Sequence, residues 1–230
     1  MTKHSNKDGL ILGSWESNAD RWTSAVRQNV IPSRQAGTDR AIIDIAKSHE
    51  PKRIVDVGCG EGWLVRKLAE KIRCAITGVD GSAKLIGNAQ AADKTGNYLA
   101  LTYQEIERDP GQIGDGFDLA ICNFSLLGEK VAPLIYALRS CLVPGGSLLV
   151  QTVHPWSADI GEPYVDGWRE ETFSALAHGE WAPMPWYFRT LSSWIELIGM
   201  AGFTLIRCVE PIHPETGGPL SLILSCRAVP

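Results

Sequence analysis

Arg53-Ile54-Val55-Asp56-Val57-Gly58-Cys59-Gly60-Glu61-Gly62-Trp63 is the stretch from which the rest of the chain can be placed. Its short apolar run, Ile54-Val55 and Val57 flanked by charge, is the pattern of a strand buried in a parallel sheet. Glycines at alternate positions follow, and then Leu64 to Lys71, with apolar residues at helical spacing. In the order strand, glycine turn, helix, the backbone turns sharply and its N–H groups approach a ligand. The helix N-terminus then offers unpaired donors and a positive dipole end to an anionic group. A dinucleotide turn reads G-x-G-x-x-G, the third glycine allowing close helix–strand packing. The bulky Trp63 stands at that place here. Asp56 also fits badly beside a diphosphate and well beside a cofactor ammonium.

Asp56-Val57-Gly58-Cys59-Gly60-Glu61-Gly62 resembles the first motif of the class I S-adenosylmethionine (SAM) methyltransferases, acidic-x-Gly-x-Gly-x-Gly. The other reading of these residues is a glycine-rich turn with no ligand. The next apolar run, Cys74 to Asp80, ends in an acid 22 residues after Gly58. A carboxylate there accepts hydrogen bonds from both ribose hydroxyls of a cofactor. The methyltransferases carry an acid at this place, although Asp80 taken alone also reads as a helix cap. Gly81 follows it, and Ala83 to Ala92 reads as helix. Tyr98 to Tyr103 is a weaker third strand. After it the family places a polar or acidic residue on the adenine amine and an apolar one on the ring. This nominates Gln104, Glu105 and Ile106, leaves Gln104 and Glu105 undecided, and admits both as solvated turn residues.

Phe117 to Leu127 covers a fourth strand and its exit. Asn123 and Phe124 stand at its C-terminal end, where open α/β sheets bind ligands. Asn123-Phe124-Ser125-Leu126 departs from the Asn/Asp-Pro-Pro-Tyr/Phe of methyltransferases acting on adenine or glutamine amides, which argues against those acceptors. Val131 to Cys141 is an amphipathic helix. Pro144-Gly145-Gly146 turns the chain into a fifth strand, Ser147 to Val153, which ends at His154. Thr190 to Ala201 reads as a helix capped by Thr190, and Phe203 to Val209 and Leu220 to Cys226 as a closing pair of strands. Before the first strand, Trp15, Ala19, Trp22 and Val26 repeat at helical spacing. Ile31 to Arg34 breaks that helix, and a second one runs from Arg40 to Ser48 with Thr38 or Asp39 as cap. Trp15 and Trp22 either pack on the main domain or fold over the cofactor. Arg34 is nominated for the cofactor carboxylate, which a guanidinium grips bidentately; its alternative is a surface ion pair.

The texture changes between Pro155 and Arg189, which hold eight of the chain's 18 aromatic residues and six acids against two arginines. Proline and glycine breaks leave little periodicity. The segment reads as an inserted lid, with a structural excursion as the plainer alternative. Trp156, Trp186 and Tyr187, with Trp15, Trp22 and His154, are the candidate acceptor contacts. His154 is also the candidate base, since an imidazole titrates near neutrality; a strand-end residue bonded within the fold is the bland alternative.

The 230 residues, with 44 % apolar and 21 % charged content, fit one α/β domain with an added subdomain. A net charge of −4 gives no basic footprint for nucleic acid. No apolar run approaches the roughly 20 residues of a membrane span. Met1 to Asp8 resembles no targeting peptide and reads as a frayed tail. Six cysteines without a CxxC pair read as reduced, buried thiols, so a cytoplasmic location is expected and no metal site. The expected fold is a Rossmann-like, doubly wound α/β sheet of seven strands, order 3-2-1-4-5-7-6, last strand antiparallel, with helices on both faces and a lid insertion. The resemblance covers roughly residues 34–228. The expected organisation is a helical cap (1–36), a cofactor core (37–154), a lid (155–189) and a helix and hairpin completing the core (190–230). The resemblance implies SAM as cofactor, with Arg34, Asp56, Gly58, Cys59, Gly60, Gly62, Asp80, Gly81, Gln104, Glu105, Ile106, Asn123 and Phe124 around it. It implies S-adenosylhomocysteine (SAH) as product and methyl transfer to an oxygen or nitrogen of a small molecule. A non-catalytic SAM-binding module remains an alternative. An NAD-dependent oxidoreductase is disfavoured by Trp63 and by the lack of a Tyr-x-x-x-Lys pair. The oligomeric state is left open.

Overall fold

The computed structural model describes residues 7–158, 161–176 and 180–229. Two helices, α1 (Lys7–Arg27) and α2 (Asp39–Ser48), precede β1 (Arg53–Val57). Then β1, β2 (Ala75–Asp80), β3 (Asn97–Ala100), β4 (Phe117–Asn123) and β5 (Leu142–Val153) alternate with α3 (Trp63–Lys71), α4 (Ala83–Ala92), α5 (Tyr103–Arg108) and α6 (Ala132–Cys141). A hairpin of β6 (Gly167–Glu171) and β7 (Met184–Phe188) leads to α7 (Leu191–Met200), β8 (Phe203–Val209) and β9 (Ser221–Ala228). The main sheet runs β3-β2-β1-β4-β5-β9-β8, with β1 to β5 parallel and β9 antiparallel to both neighbours. With the separate hairpin set aside, this is the order and polarity expected from the sequence.

The period of two along the central strands fills two layers. Val55, Val57, Ala120, Cys122, Leu148 and Val150 pack under α6 and α7. Ile54, Leu119, Ile121 and Leu149 alternate with them and pack under α2 and α3. The order reverses between β1 and β4, whose C-terminal ends therefore open a crevice.

Local chemistry moves several boundaries. The helix α1 begins at Lys7, so the tail expected to reach Asp8 is shorter; residues 1–6 lie outside the described residues. Arg34–Thr38 forms a turn kinked at Gly37 (φ 147°) before α2; Thr38 makes no side-chain cap bond, and the Asp39 carboxylate is held by Arg34. The third strand stops at Ala100 rather than continuing to Tyr103. There the Thr102 hydroxyl accepts from Glu105 N–H while the Glu105 carboxylate accepts from Thr102 N–H, a capping box that starts α5. Thr190 caps α7 as expected. The 155–189 segment contains an antiparallel hairpin, Gly167 pairing with Phe188 and Glu171 with Met184; residues 159–160 and 177–179 lie outside the described residues.

Candidate cofactor and acceptor cleft

A cleft of about 1250 Å³ opens at the C-terminal ends of β1 and β4. Its floor is the glycine turn. Gly58 N–H and Cys59 N–H both donate to the Val79 carbonyl, at 2.7 and 3.0 Å, which bends the turn across the end of β2. Gly58, Gly60 and Gly62 all have positive φ, where a side chain is strained. Only at Gly58 and Gly62 would a Cβ also collide, at 2.2 Å from Ser125 Cβ and 2.7 Å from the Tyr98 ring. Gly60 faces open space, with Trp22 Nε1 3.9 Å away.

Two carboxylates border this turn. Asp80 accepts from Gly60 N–H (2.9 Å) and Ser82 N–H (2.8 Å), one bond on each oxygen. Burial raises its pKa and these two bonds oppose the rise. Asp56 is 1 % exposed, and its Oδ1 is buried in the cleft wall without a hydrogen-bond partner. Burial, reinforced by the neighbouring charge of Asp80, pushes Asp56 up to about 7. A buried acceptor without a donor is costly, and the Asp56 carboxyl therefore fits a cationic or N–H-bearing group in the cleft. The Asn123 Oδ1 at the end of β4 is likewise buried and unpartnered in the cleft.

The other predicted residues divide. Arg34, Gly81, Gln104 and Phe124 line the cleft with Asp56, Gly58, Cys59, Gly60, Asp80 and Asn123; Trp15, Trp22 and Trp186 line it too. Arg34 is already engaged: its Nε and Nη2 hold the Asp39 carboxylate at 2.9–3.0 Å, and its guanidinium lies 4.1 Å over the Trp63 ring. The aromatic side chain that replaced a third dinucleotide glycine thus serves as a platform for Arg34. Glu105 is spent on its capping box, and Ile106 is fully buried in the core under the sheet, so neither reaches the cleft. Trp156 is 71 % exposed, and Tyr187 packs on Trp168 and the Arg189 guanidinium; neither lines the cleft.

His154 does not line it either. Its Nε2 bonds to Glu210 Oε1 at 2.7 Å and its Nδ1 accepts from Trp156 N–H, so both ring nitrogens are used within the fold. The expected base is therefore a strand-end brace. We expect His154→Gln to leave SAH affinity unchanged by calorimetry and to cost at most about 1 kcal/mol of stability, since Glu210 is half exposed.

One residue of the glycine turn carries a signal that the motif masks. Glu61, inside the glycine turn, is 0 % exposed. It bonds Arg66 with both oxygens at 2.8 Å and Arg27 of α1 at 2.9 Å. An acid between two glycines of a buried turn needs cations, and Arg66, five residues on in the first turn of α3, is the partner local sequence could suggest, whereas Arg27 of α1 is not. Among the described residues no group of three or more His, Cys, Asp or Glu side chains is arranged to hold a metal, and no helix is long and apolar enough to cross a membrane.

Comparison with known proteins agrees with this geometry. Residues 54–146 match the family described as methyltransferase domain. A ubiquinone biosynthesis O-methyltransferase of Vibrio parahaemolyticus is 28 % identical over 67 % of this chain and 66 % of its own length. A tRNA U34 carboxymethyltransferase of Pseudomonas savastanoi is 26 % identical over 70 % of this chain and 48 % of its own. The chain thus spans about half to two thirds of the length of these curated relatives. A solved S-adenosylmethionine-dependent methyltransferase from Mesorhizobium loti superposes with a TM-score of 0.59 at 25 % identity, covering 76 % of this chain and 90 % of that one.

Proposed function

Because the chain carries a class I, SAM-dependent methyltransferase domain, we propose that it transfers a methyl group from SAM to an oxygen or nitrogen of a small-molecule acceptor. The observation that carries this reading is the unpartnered, buried Asp56 Oδ1 beside the Gly58–Gly60 cradle. It is an acceptor site of the kind an amino-acid ammonium fills. Asp80, already fixed by two backbone N–H groups, would take the ribose hydroxyls. Gln104 is the remaining candidate for the adenine edge, Asn123 and Phe124 stand at the reacting end, and Arg34 with its Trp63 platform is the candidate for the carboxylate. When bound, SAM supplies an electrophilic methyl on a sulfonium leaving group. What the chain's own residues then contribute is orientation and exclusion of water, where positioning alone is worth on the order of 10⁵–10⁸ M in effective concentration.

A small acceptor is favoured by the wall opposite the turn. Trp15, Phe173, Met184 and Trp186 make it apolar, and the cleft's rim acids, Asp8, Glu107, Glu162, Glu170 and Glu171, outnumber Lys130 and Arg169 there. That balance is unsuited to a polyanion. The 155–189 segment is, on this reading, the lid of the acceptor pocket. The test is transfer of labelled methyl from SAM into a fractionated cell extract. Label is expected in the small-molecule fraction; label confined to RNA, or none in any fraction, overturns the proposal, the latter favouring a non-catalytic SAM-binding module. Calorimetry should give heat with SAH and none with NAD. Asp80→Asn should weaken SAH roughly ten- to hundredfold, the equivalent of about 1.5–3 kcal/mol for a hydrogen-bonded charge. An unchanged affinity with the fold intact by circular dichroism would remove Asp80 from the site.

A further inference from the structure

The helix α1 presents three faces to three parts of the molecule. Glu16, Thr23 and Arg27, spaced by seven and four, meet α4 and the glycine turn. Glu16 Oε2 accepts from Ser82 Oγ at 2.5 Å and from Lys84 N–H at 3.4 Å, Thr23 Oγ1 accepts from Asn88 at 2.9 Å, and Arg27 reaches Glu61 at 2.9 Å. Leu12, Trp15 and Trp22 face the cleft. On the third face stands Asn18, 0 % exposed. Its Nδ2 donates to the Ala182 carbonyl at 2.8 Å and its Oδ1 accepts from Ala182 N–H at 3.0 Å, as a strand neighbour would. Ser14 Oγ donates to the same carbonyl at 2.9 Å. Ala182 lies two residues before β7, whose hairpin bounds the acceptor end of the cleft. Trp15 adds an edge contact to Phe173, which stacks on Trp181.

We propose that Asn18 is a positioning residue that couples the lid to the cofactor site, so that filling the cofactor site orders the acceptor pocket. This rests on the SAM reading above. The path is short. Asp80 bonds Ser82 N–H through one oxygen, Ser82 bonds Glu16 through its hydroxyl, and Asn18 lies two residues along the same rigid helix. A ligand on Asp80 and against Leu12 and Trp22 bears on α1 directly, and Asn18 passes the restraint to the hairpin. By linkage, an acceptor that orders the hairpin tightens the cofactor by the same factor. The side chain of Asn18 does not line the cleft, so its effect on the pocket is indirect.

Hydrogen exchange with and without saturating SAH tests this on the full chain. In the wild type, SAH should slow exchange of the amides of β6 (167–171) and β7 (184–188) at least tenfold. In Asn18→Ala, SAH affinity by calorimetry should stay within threefold while that slowing is lost. A merely structural role would loosen the hairpin equally with and without SAH and leave the slowing ratio intact, which overturns the proposal. So does a wild-type hairpin whose exchange ignores SAH. Should Asn18→Ala fail to fold, Asn18→Asp, which can still accept from Ala182 N–H but cannot donate to its carbonyl, gives the same comparison with a partial loss expected; a full slowing ratio there overturns the coupling. If SAH does not bind the wild type at all, the cofactor reading fails and this inference falls with it.

Discussion

Asp56→Asn is expected to stabilise the ligand-free protein at pH 8 while weakening SAH about ten- to hundredfold. Both effects come from one unpaired buried charge. In the free protein burial pushes Asp56 from its ordinary 3.8 to about 7. Between those values the native state holds a proton that the unfolded chain has released. The native state thus binds more protons, so this group's contribution to stability falls as pH rises, by about 1.4 kcal/mol per unit, and is lost once pH passes about 7. Asparagine keeps the shape and has no charge to bury. At pH 8 the variant should therefore be more stable by about 2 kcal/mol or more and should lack the wild type's decline between pH 5 and 7. Binding runs the other way. An ammonium is met by the carboxylate and not by the acid, so wild-type SAH affinity should drop towards tenfold per unit below pH 7, with a flatter profile in Asp56→Asn. Thermal unfolding and calorimetry at pH 5.5, 7 and 8.5 read both arms. Equal pH slopes in the two proteins would dissociate Asp56 from the ammonium and from the stability effect.

Gly58→Ala should cost about 2–5 kcal/mol and abolish detectable SAH binding, whereas Gly60→Ala should cost about 1–2 kcal/mol. Both positions have left-handed backbone, φ 77° and 57°, and an L side chain there costs about 1–2 kcal/mol. They differ in what the new methyl meets. At Gly58 it would lie 2.2 Å from Ser125 Cβ and 2.9 Å from Tyr103 Oη. Those groups cannot swing aside, because Ser125 Oγ donates to the Val57 carbonyl at 2.7 Å and Tyr103 donates to the Ser125 carbonyl at 2.9 Å. Overpacking of this kind adds about 1–3 kcal/mol. The relief would part the ends of β1 and β4, which is where the crevice opens. Denaturant midpoints with a common m-value check the difference; equal losses at the two glycines would show that contact with Ser125 carries no weight.

The main sheet was legible because its information is local. Strands such as Ile54–Val57 and helices such as Ala83–Ala92 announce themselves by period, and their alternation dictates a parallel sheet. The glycine turn and Asp80 were legible for the same reason. What escaped depends on partners distant in sequence. Nothing near Asn18 signals Ala182, 164 residues away, and nothing near His154 signals Glu210, 56 residues on. Arg34 and Asp39 are only five residues apart, and an ion pair is the alternative the sequence offers for Arg34; what it does not show is the kinked turn at Gly37 that brings the two together. One local signal was overridden. Thr102-x-x-Glu105 is a capping-box sequence, but it lies at the end of the stretch Tyr98 to Tyr103 that reads as a weak third strand. Glu105, which the sequence leaves open beside Gln104 for the adenine amine, is a cap, and Ile106, expected near the ring, is core.

The two bonds on Asp80 bear on how binding entropy is shared along the cofactor. With one oxygen tied to Gly60 N–H and the other to Ser82 N–H, its rotamer is fixed before any ligand arrives. If Asp80 takes the ribose as proposed, the adenosine half would dock against a rigid surface and freeze almost nothing. On the same proposal the amino-acid half would meet Arg34, whose guanidinium would have to share or exchange Asp39 to receive a carboxylate. Ligands lacking that carboxylate would forgo one contact and also avoid that exchange. Plain adenosine should thus retain a larger share of the full cofactor's affinity than its atom count suggests, and this asymmetry would make adenosine-like metabolites natural competitors for the cleft.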